Sequence, residues 1–198
     1  MATGRPREFD LDERLDRALE VFRRHGYEGT ALSDLTEAMG INKPSLYAAY
    51  GNKAALFSKA LDRYSAGPAS YVQEAMNAPT ARAAAETLMR GSVDLNTCEP
   101  RGCLFVQGAL ATGPQGDPAR AEVAARRDAG QEALHERFER ALAEGDLPAG
   151  TDTEALARHI WAVTYGLSIQ ATGGATADEL HRTVDLVLSA FPRPDATP

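Results

Sequence analysis

Cysteine is nearly absent from this 198-residue chain, which carries only Cys98 and Cys103. Two thiols cannot form the disulfide framework of a small secreted scaffold, and the compartment expected is reducing and cytoplasmic. The four histidines, His25, His135, His159 and His181, are scattered, so Cys98-x4-Cys103 lacks the His pair that zinc spacing needs. A copper(I) site on the two thiols is the one metal alternative open, and neither a metal nor a cofactor is expected. There is no Ser-His-Asp set, phosphate loop or dinucleotide fingerprint, so an enzyme is not expected. No apolar run approaches the ~18 residues of a membrane span, and none follows the N-terminal charges as a signal peptide requires. Runs of β-branched and aromatic residues at period two are missing as well, which excludes a strand-built fold.

What is present is helix and an uneven charge. The net charge is -7. Residues 1–63 hold 10 Lys/Arg and 10 Asp/Glu, whereas residues 64–198 hold 11 and 18 and carry the whole excess. A neutral, locally basic head thus precedes an acidic body, a distribution that confines nucleic-acid contact to the head. Arg5, Lys43 and Lys53 have no adjacent acidic residue in the sequence, whereas Arg7 directly precedes Glu8.

Helical signals run along the chain. Asp10 with Glu13 resembles a capping box, followed by Leu11, Leu15, Ala18, Leu19 and Phe22 at helical spacing, and Gly26 suits the C-terminal stop. Thr30 suits the N-cap of a short second helix that ends at Gly40, and Asn42 the N-cap of a third with Pro44 in its first turn. A fourth helix after Asn52 should break or kink at Gly67-Pro68. Further helices are predicted near 80–96, 103–112, 118–144, 153–172 and 177–191. The fold class is all-α, with boundaries at 1–64 for an N-terminal head, 65–191 for a helical body and 192–198 for a tail.

The stretch TALSDLTEAMGINKPSLYAAYGNK, Thr30 to Lys53, joins two short helices by Gly40-Ile41-Asn42. That is helix-turn-helix spacing: the glycine permits a left-handed turn and Ile41 tucks between the helices. The second of them is polar away from Leu46 and Tyr50, as a groove-reading helix must be. Residues 8–64 resemble the DNA-binding domain of the TetR family. The resemblance implies a regulator, most often a repressor, that binds a palindromic double-stranded operator as a homodimer. It places Thr30, Tyr47 and Lys53 on phosphates, and Lys43, Pro44 and Ser45 at the start of the recognition helix, with Lys43 facing guanine or phosphate and Pro44 a thymine methyl. Ala48 and Ala49 stand where the family often has larger side chains, so fewer base contacts are implied. Upstream, Gly4-Arg5-Pro6-Arg7 reads either as a minor-groove arm or as a charged tail.

The family resemblance further implies that the body binds an unknown small-molecule effector and dimerises through its last two helices, here near 153–172 and 177–191. Leu156, Ile160, Val163 and Leu167 make one stripe; Leu180, Val184, Val187, Leu188 and Phe191 make the other. Two stripes per protomer suit a four-helix bundle, or else both bury within the chain. Trp161 and Tyr165, four apart, either line a pocket or belong to the core. Cys103, beside Arg101 and near a helix start, has features that favour a thiolate. Its Gly-Cys-Leu segment is similar to one in TetR-like regulators that answer electrophiles, oxidants or metals. Cys103 is then a sensor thiol with Cys98 as resolving partner, or an inert buried cysteine. The fourth helix would carry the signal to the head.

Overall fold

A computed structural model of the chain describes residues 6–98, 102–110, 113 and 116–194, with side chains from residue 11 onward. Among those residues the helices are α1 (Pro6–Gly29), α2 (Leu32–Met39), α3 (Lys43–Tyr50), α4 (Lys53–Ala66), α5 (Tyr71–Met76), α6 (Ala81–Cys98), α7 (Leu104–Ala109), α8 (Asp117–Ala143), α9 (Thr153–Thr172) and α10 (Ala177–Ser189). No strand occurs among the described residues, and none of their helices is long and apolar enough to cross a membrane. The chain divides into two compact units, one of Met1–Gly67 with Leu104–Ala124, the other of Pro68–Cys103 with Ala125–Pro198. Residues 104–124 therefore group with the head, whereas the sequence boundaries leave them in the body.

The first unit is built on aromatic rings. Phe22 of α1 meets Phe57 of α4 edge-on at 5.1 Å, and Tyr27 meets the same ring at 5.0 Å. Leu35, Met39, Leu46, Leu56 and Leu61 fill the space around them, all buried. Burying each such side chain contributes about 1.5–3 kcal/mol. Outside this core, Arg63 of α4 clamps Asp16 of α1 with two bonds of 2.6 and 2.8 Å. Helix α1 starts at Pro6, one turn before the Asp10 cap suggested by sequence, because proline suits the first helical position. Gly26 does break it, with φ 67 and ψ 178, a conformation a side chain resists.

The second unit has a core of small residues. Ala75, Ala81, Ala84, Ala85, Ala141 and Ala157 alternate with Leu88, Met89, Phe138 and Ile160. Helix α6 packs against both α9 and α10. Capping fixes the helix starts: Asp146 accepts from the Ala81 N–H at 2.6 Å, Asp152 from Ala155 at 2.9 Å, and Thr176 and Glu179 form the capping box of α10. The break expected at Gly67-Pro68 is complete, since α4 stops at Ala66 and α5 begins at Tyr71.

One sequence assignment is corrected here. The two stripes assigned to dimerisation face the protomer's own interior: Ile160, Leu167, Leu180, Val184, Leu188 and Phe191 are buried, and Leu156, Val163 and Val187 pack against the same core. Helical periodicity identifies an apolar face, not the partner that covers it. The outward face of α9 carries Ala155, His159, Ala162, Gly166 and Ile169 at alternating spacings of four and three. Ile169 is 54% exposed there, and on α10 Leu186 is 70% exposed.

Candidate nucleic-acid interface

Helices α2 and α3 meet through a turn whose backbone is fully accounted for. Gly40 takes the left-handed conformation at φ 64, ψ 37; its N–H donates to Glu37 and that of Ile41 to Thr36. Asn42 caps α3, its side chain accepting from the Ser45 N–H at 2.9 Å, and Pro44 lies in the first turn where it removes no intrahelical bond. Two residues root α3. Leu46 is fully buried, and the hydroxyl of buried Tyr50 donates to the Leu11 carbonyl at 2.9 Å. The opposite face presents Lys43, Pro44, Ser45, Tyr47, Ala48 and Ala49, all exposed, with the Tyr47 ring 49% exposed. A short helix held from behind, with a polar and sterically open front, meets the geometric requirement for groove entry.

Two expected phosphate contacts are differently placed. Thr30 is not the N-cap of α2; Ala31 is, with its N–H bonded to Asp34 at 2.8 Å. Thr30 is 1% exposed and its hydroxyl donates to the Gly26 carbonyl at 2.6 Å. The hydroxyl found a nearer acceptor in the broken end of α1, whose last carbonyls lack helical donors. Lys53 is half-buried with its ammonium 4.4 Å above the centre of the Tyr27 ring, a cation–π seat. Burial lowers its pKa, while the carboxylates of Glu28 and Asp34 act in the opposite sense. Lys53 thus has acidic neighbours in space that sequence distance concealed. Nothing in the sequence links Tyr27 to Lys53, 26 positions away. Arg5 lies outside the described residues, and Arg7 belongs to the backbone of the first turn of α1.

Residues 15–60 match the family model for bacterial regulatory proteins of the tetR family, and residues 73–187 match that for the tetracyclin repressor-like C-terminal domain. The chain belongs to the TetR family. It is a transcriptional regulator, not an enzyme. Similar proteins include the HTH-type transcriptional repressor ComR of Escherichia coli, 30% identical over 96% of this chain and 92% of that one. Another is the HTH-type transcriptional regulator YezE of Bacillus subtilis, 35% identical over 95% and 99%. Among solved structures, a cysteine mutant of the TetR family regulator CifR, complexed with a 26-base-pair operator, is 42% identical with a TM-score of 0.87, covering 95% of this chain and all of that one.

In this TetR-family regulator the sensor candidates lie in the second unit. Neither thiol is in a disulfide; Cys98 is exposed at the end of α6, and Cys103, 6% exposed, immediately precedes α7. Arg101 falls outside the described residues. Trp161 is largely buried, donates its indole N–H to the Gly130 carbonyl at 3.0 Å and stacks on Tyr165 at 5.2 Å. The Arg127 guanidinium covers the other aromatic, 4.5 Å from the Tyr165 centroid, and hydrogen-bonds its hydroxyl. Burial raises the Tyr165 pKa in spite of that cation.

A cluster of buried polar residues went unnoticed in the sequence. Ser92, Asn96, Thr164 and Ser168 are polar and buried between α6 and α9. The hydroxyls of Ser92 and Ser168 are 2.9 Å apart, and the Asn96 amide nitrogen donates to the Ser92 carbonyl at 2.7 Å. The Asn96 side-chain oxygen is buried without a partner. Tyr71 packs against Gly91 of α6, and burial drives its pKa far above the ordinary tyrosine value. The only signal for this cluster is polar residues at i, i+4 spacing inside otherwise apolar faces.

Proposed function

We propose that this regulator is a cytoplasmic homodimeric repressor that reads a palindromic operator with α3 and releases it when an effector alters the second unit. The observation that carries the reading is the exposed Lys43-Pro44-Ser45-Tyr47 surface standing on the buried Leu46 and Tyr50. Lys43 serves guanine or phosphate, Pro44 packs on a thymine methyl, and Ser45 and Tyr47 bond phosphates from the helix start and flank. Lys53 serves a phosphate beside its aromatic seat. Thr30 positions the entry to α2 from behind. Arg5 and Arg7 supply an N-terminal arm. The small Ala48 and Ala49 leave much of the discrimination to DNA shape.

The homodimer is formed by the outward faces of α9 and α10. Ala155, Ala162 and Gly166 let two backbones approach closely, and Ile169 and Leu186 bury exposed apolar surface. The name of the similar ComR supports repression. Two effector modes fit the second unit: modification of Cys103, with Cys98 as resolving thiol, or a reversible small molecule against Trp161 and Tyr165. The coupling needed is about 1–3 kcal/mol, or ~5–150-fold in DNA affinity.

The deciding experiment titrates the protein against the DNA upstream of its own gene, at stated salt, before and after treatment with a thiol electrophile. A palindromic footprint lost on treatment, and retained in Cys103→Ser, supports the repressor and its thiol mode. A footprint that ignores the electrophile moves the effector to the reversible mode. Equal affinity for random duplexes contradicts the proposal.

A further inference from the structure

We infer that Tyr27 is a positioning residue for DNA binding: its ring holds the Lys53 ammonium in place for a phosphate before the duplex arrives. This rests on the proposed phosphate contact of Lys53 and names the side chain that prepares it. Lys53 is the first residue of α4, and only Gly51 and Asn52 separate it from Tyr50, the last residue of α3. A lysine so placed serves the phosphates that flank the groove α3 enters. Its stem is flexible, and ordering it only on binding costs affinity that a seat in the free protein saves.

The seat is rooted on every side. The Lys53 ammonium lies 4.4 Å from the centre of the Tyr27 ring, well inside the ~6 Å reach of a cation–π contact. Phe57 meets that ring edge-on at 5.0 Å, Phe22 stacks on it at 6.3 Å, and Tyr27 is buried. The backbone beneath it is fixed as well. Gly26 breaks α1 just before Tyr27, the Thr30 hydroxyl holds the Gly26 carbonyl at 2.6 Å, and the Thr30 N–H bonds the Tyr27 carbonyl at 3.4 Å. Across the contact, the Asn52 side chain accepts from the Ala55 N–H at 2.8 Å and sets the first turn of α4. Lys53 is only half-buried, so solvent still reaches it. An ammonium has three N–H donors, and a π face holds the charge without adding a negative charge that a phosphate must displace.

The test titrates the full-length protein with the duplex from upstream of its own gene, at several salt concentrations, and alters the ring's electronics at nearly constant size. Tyr27→Phe keeps the electron-rich face, whereas pentafluorophenylalanine at the same position reverses it. The Phe variant should bind within about twofold of the parent. The fluorinated one should bind about three- to tenfold more weakly than the Phe variant, the range for ordering one flexible side chain. With Lys53→Ala added, the two rings should bind alike, within about twofold. A merely structural ring would lower affinity equally with and without Lys53→Ala. Lys53→Ala alone should reduce the slope of log affinity against log salt by about one. Should the fluorinated ring unfold the head, Tyr27→Leu removes the π face and gives the same comparison.

Tighter binding by the fluorinated variant overturns the inference, because the ring is then a resting place that Lys53 must leave to reach DNA. Equal affinity of the two rings overturns it too, as do equal losses with and without Lys53→Ala. In each of those cases a weakened Lys53→Ala keeps the phosphate reading of Lys53 intact. If Lys53→Ala leaves affinity and salt slope unchanged, both that reading and the inference fall.

Discussion

The two units bury their interiors on different terms. In the first, Phe22, Tyr27 and Phe57 interlock among large buried aliphatic residues, with Arg23 and Thr30 buried in the same unit. In the second, alanines dominate and Ser92, Asn96, Thr164 and Ser168 are sealed in, with one amide oxygen unpartnered. An interlocked core resists small displacements, because every rotamer is fixed by its neighbours. A core that seals in an unsatisfied acceptor carries a cost of about 1–3 kcal/mol for that group. The difference teaches that the two units rest on different packing, large rings and aliphatic side chains in the head and alanines around a buried polar cluster in the body.

Four substitutions sharpen or break that contrast. The largest effect is expected for Phe57→Ala, which removes the ring shared by Phe22 and Tyr27 and should cost about 3–5 kcal/mol. Thermal unfolding would show it; a loss under ~1 kcal/mol would mean that the base of α3 is as adjustable as the body. Next is Lys43→Ala, which should weaken operator binding by about 1–3 kcal/mol while leaving the melting temperature in place. A change in melting without a change in affinity would assign Lys43 to folding. Asn42→Ala removes the α3 cap and should cost about 1 kcal/mol in denaturant unfolding.

The smallest effect concerns the body. The Thr176 backbone N–H and hydroxyl hold the Glu179 carboxyl below the usual carboxylate range. A carboxyl depressed on folding adds stability above its unfolded pKa and loses it as pH falls through its folded pKa. Melting curves should therefore separate wild type from Glu179→Gln at neutral pH and converge in acid. Curves that separate further in acid would reverse the sign.

Much of the fold was legible because local signals agreed with tertiary packing. Asn42 and Asn52 cap their helices as their residue types require, Gly40 turns left-handed, and Gly67-Pro68 ends α4. The exposed face of α3 follows from the alternation of Leu46 and Tyr50 with polar neighbours. What escaped depends on pairs distant in the chain. Thr30 looked like a cap because no sequence rule reveals that the Gly26 carbonyl lies 2.6 Å away. The apolar stripes of α9 and α10 were real, but α6 covers them, and the small residues that face outward carry no periodic apolar signal. The Ser92–Asn96–Ser168 cluster joins α6 and α9, and burial of polar groups is invisible until those helices are packed.

The central claim is that the exposed face of α3 is the surface that meets operator DNA. Hydrogen exchange of the full-length protein, with and without the duplex from its own upstream region, tests it most directly. The account requires slowed exchange in residues 42–53, unaltered by a random duplex at the same salt. Protection that falls elsewhere, with α3 exchanging as in the free protein, would contradict it.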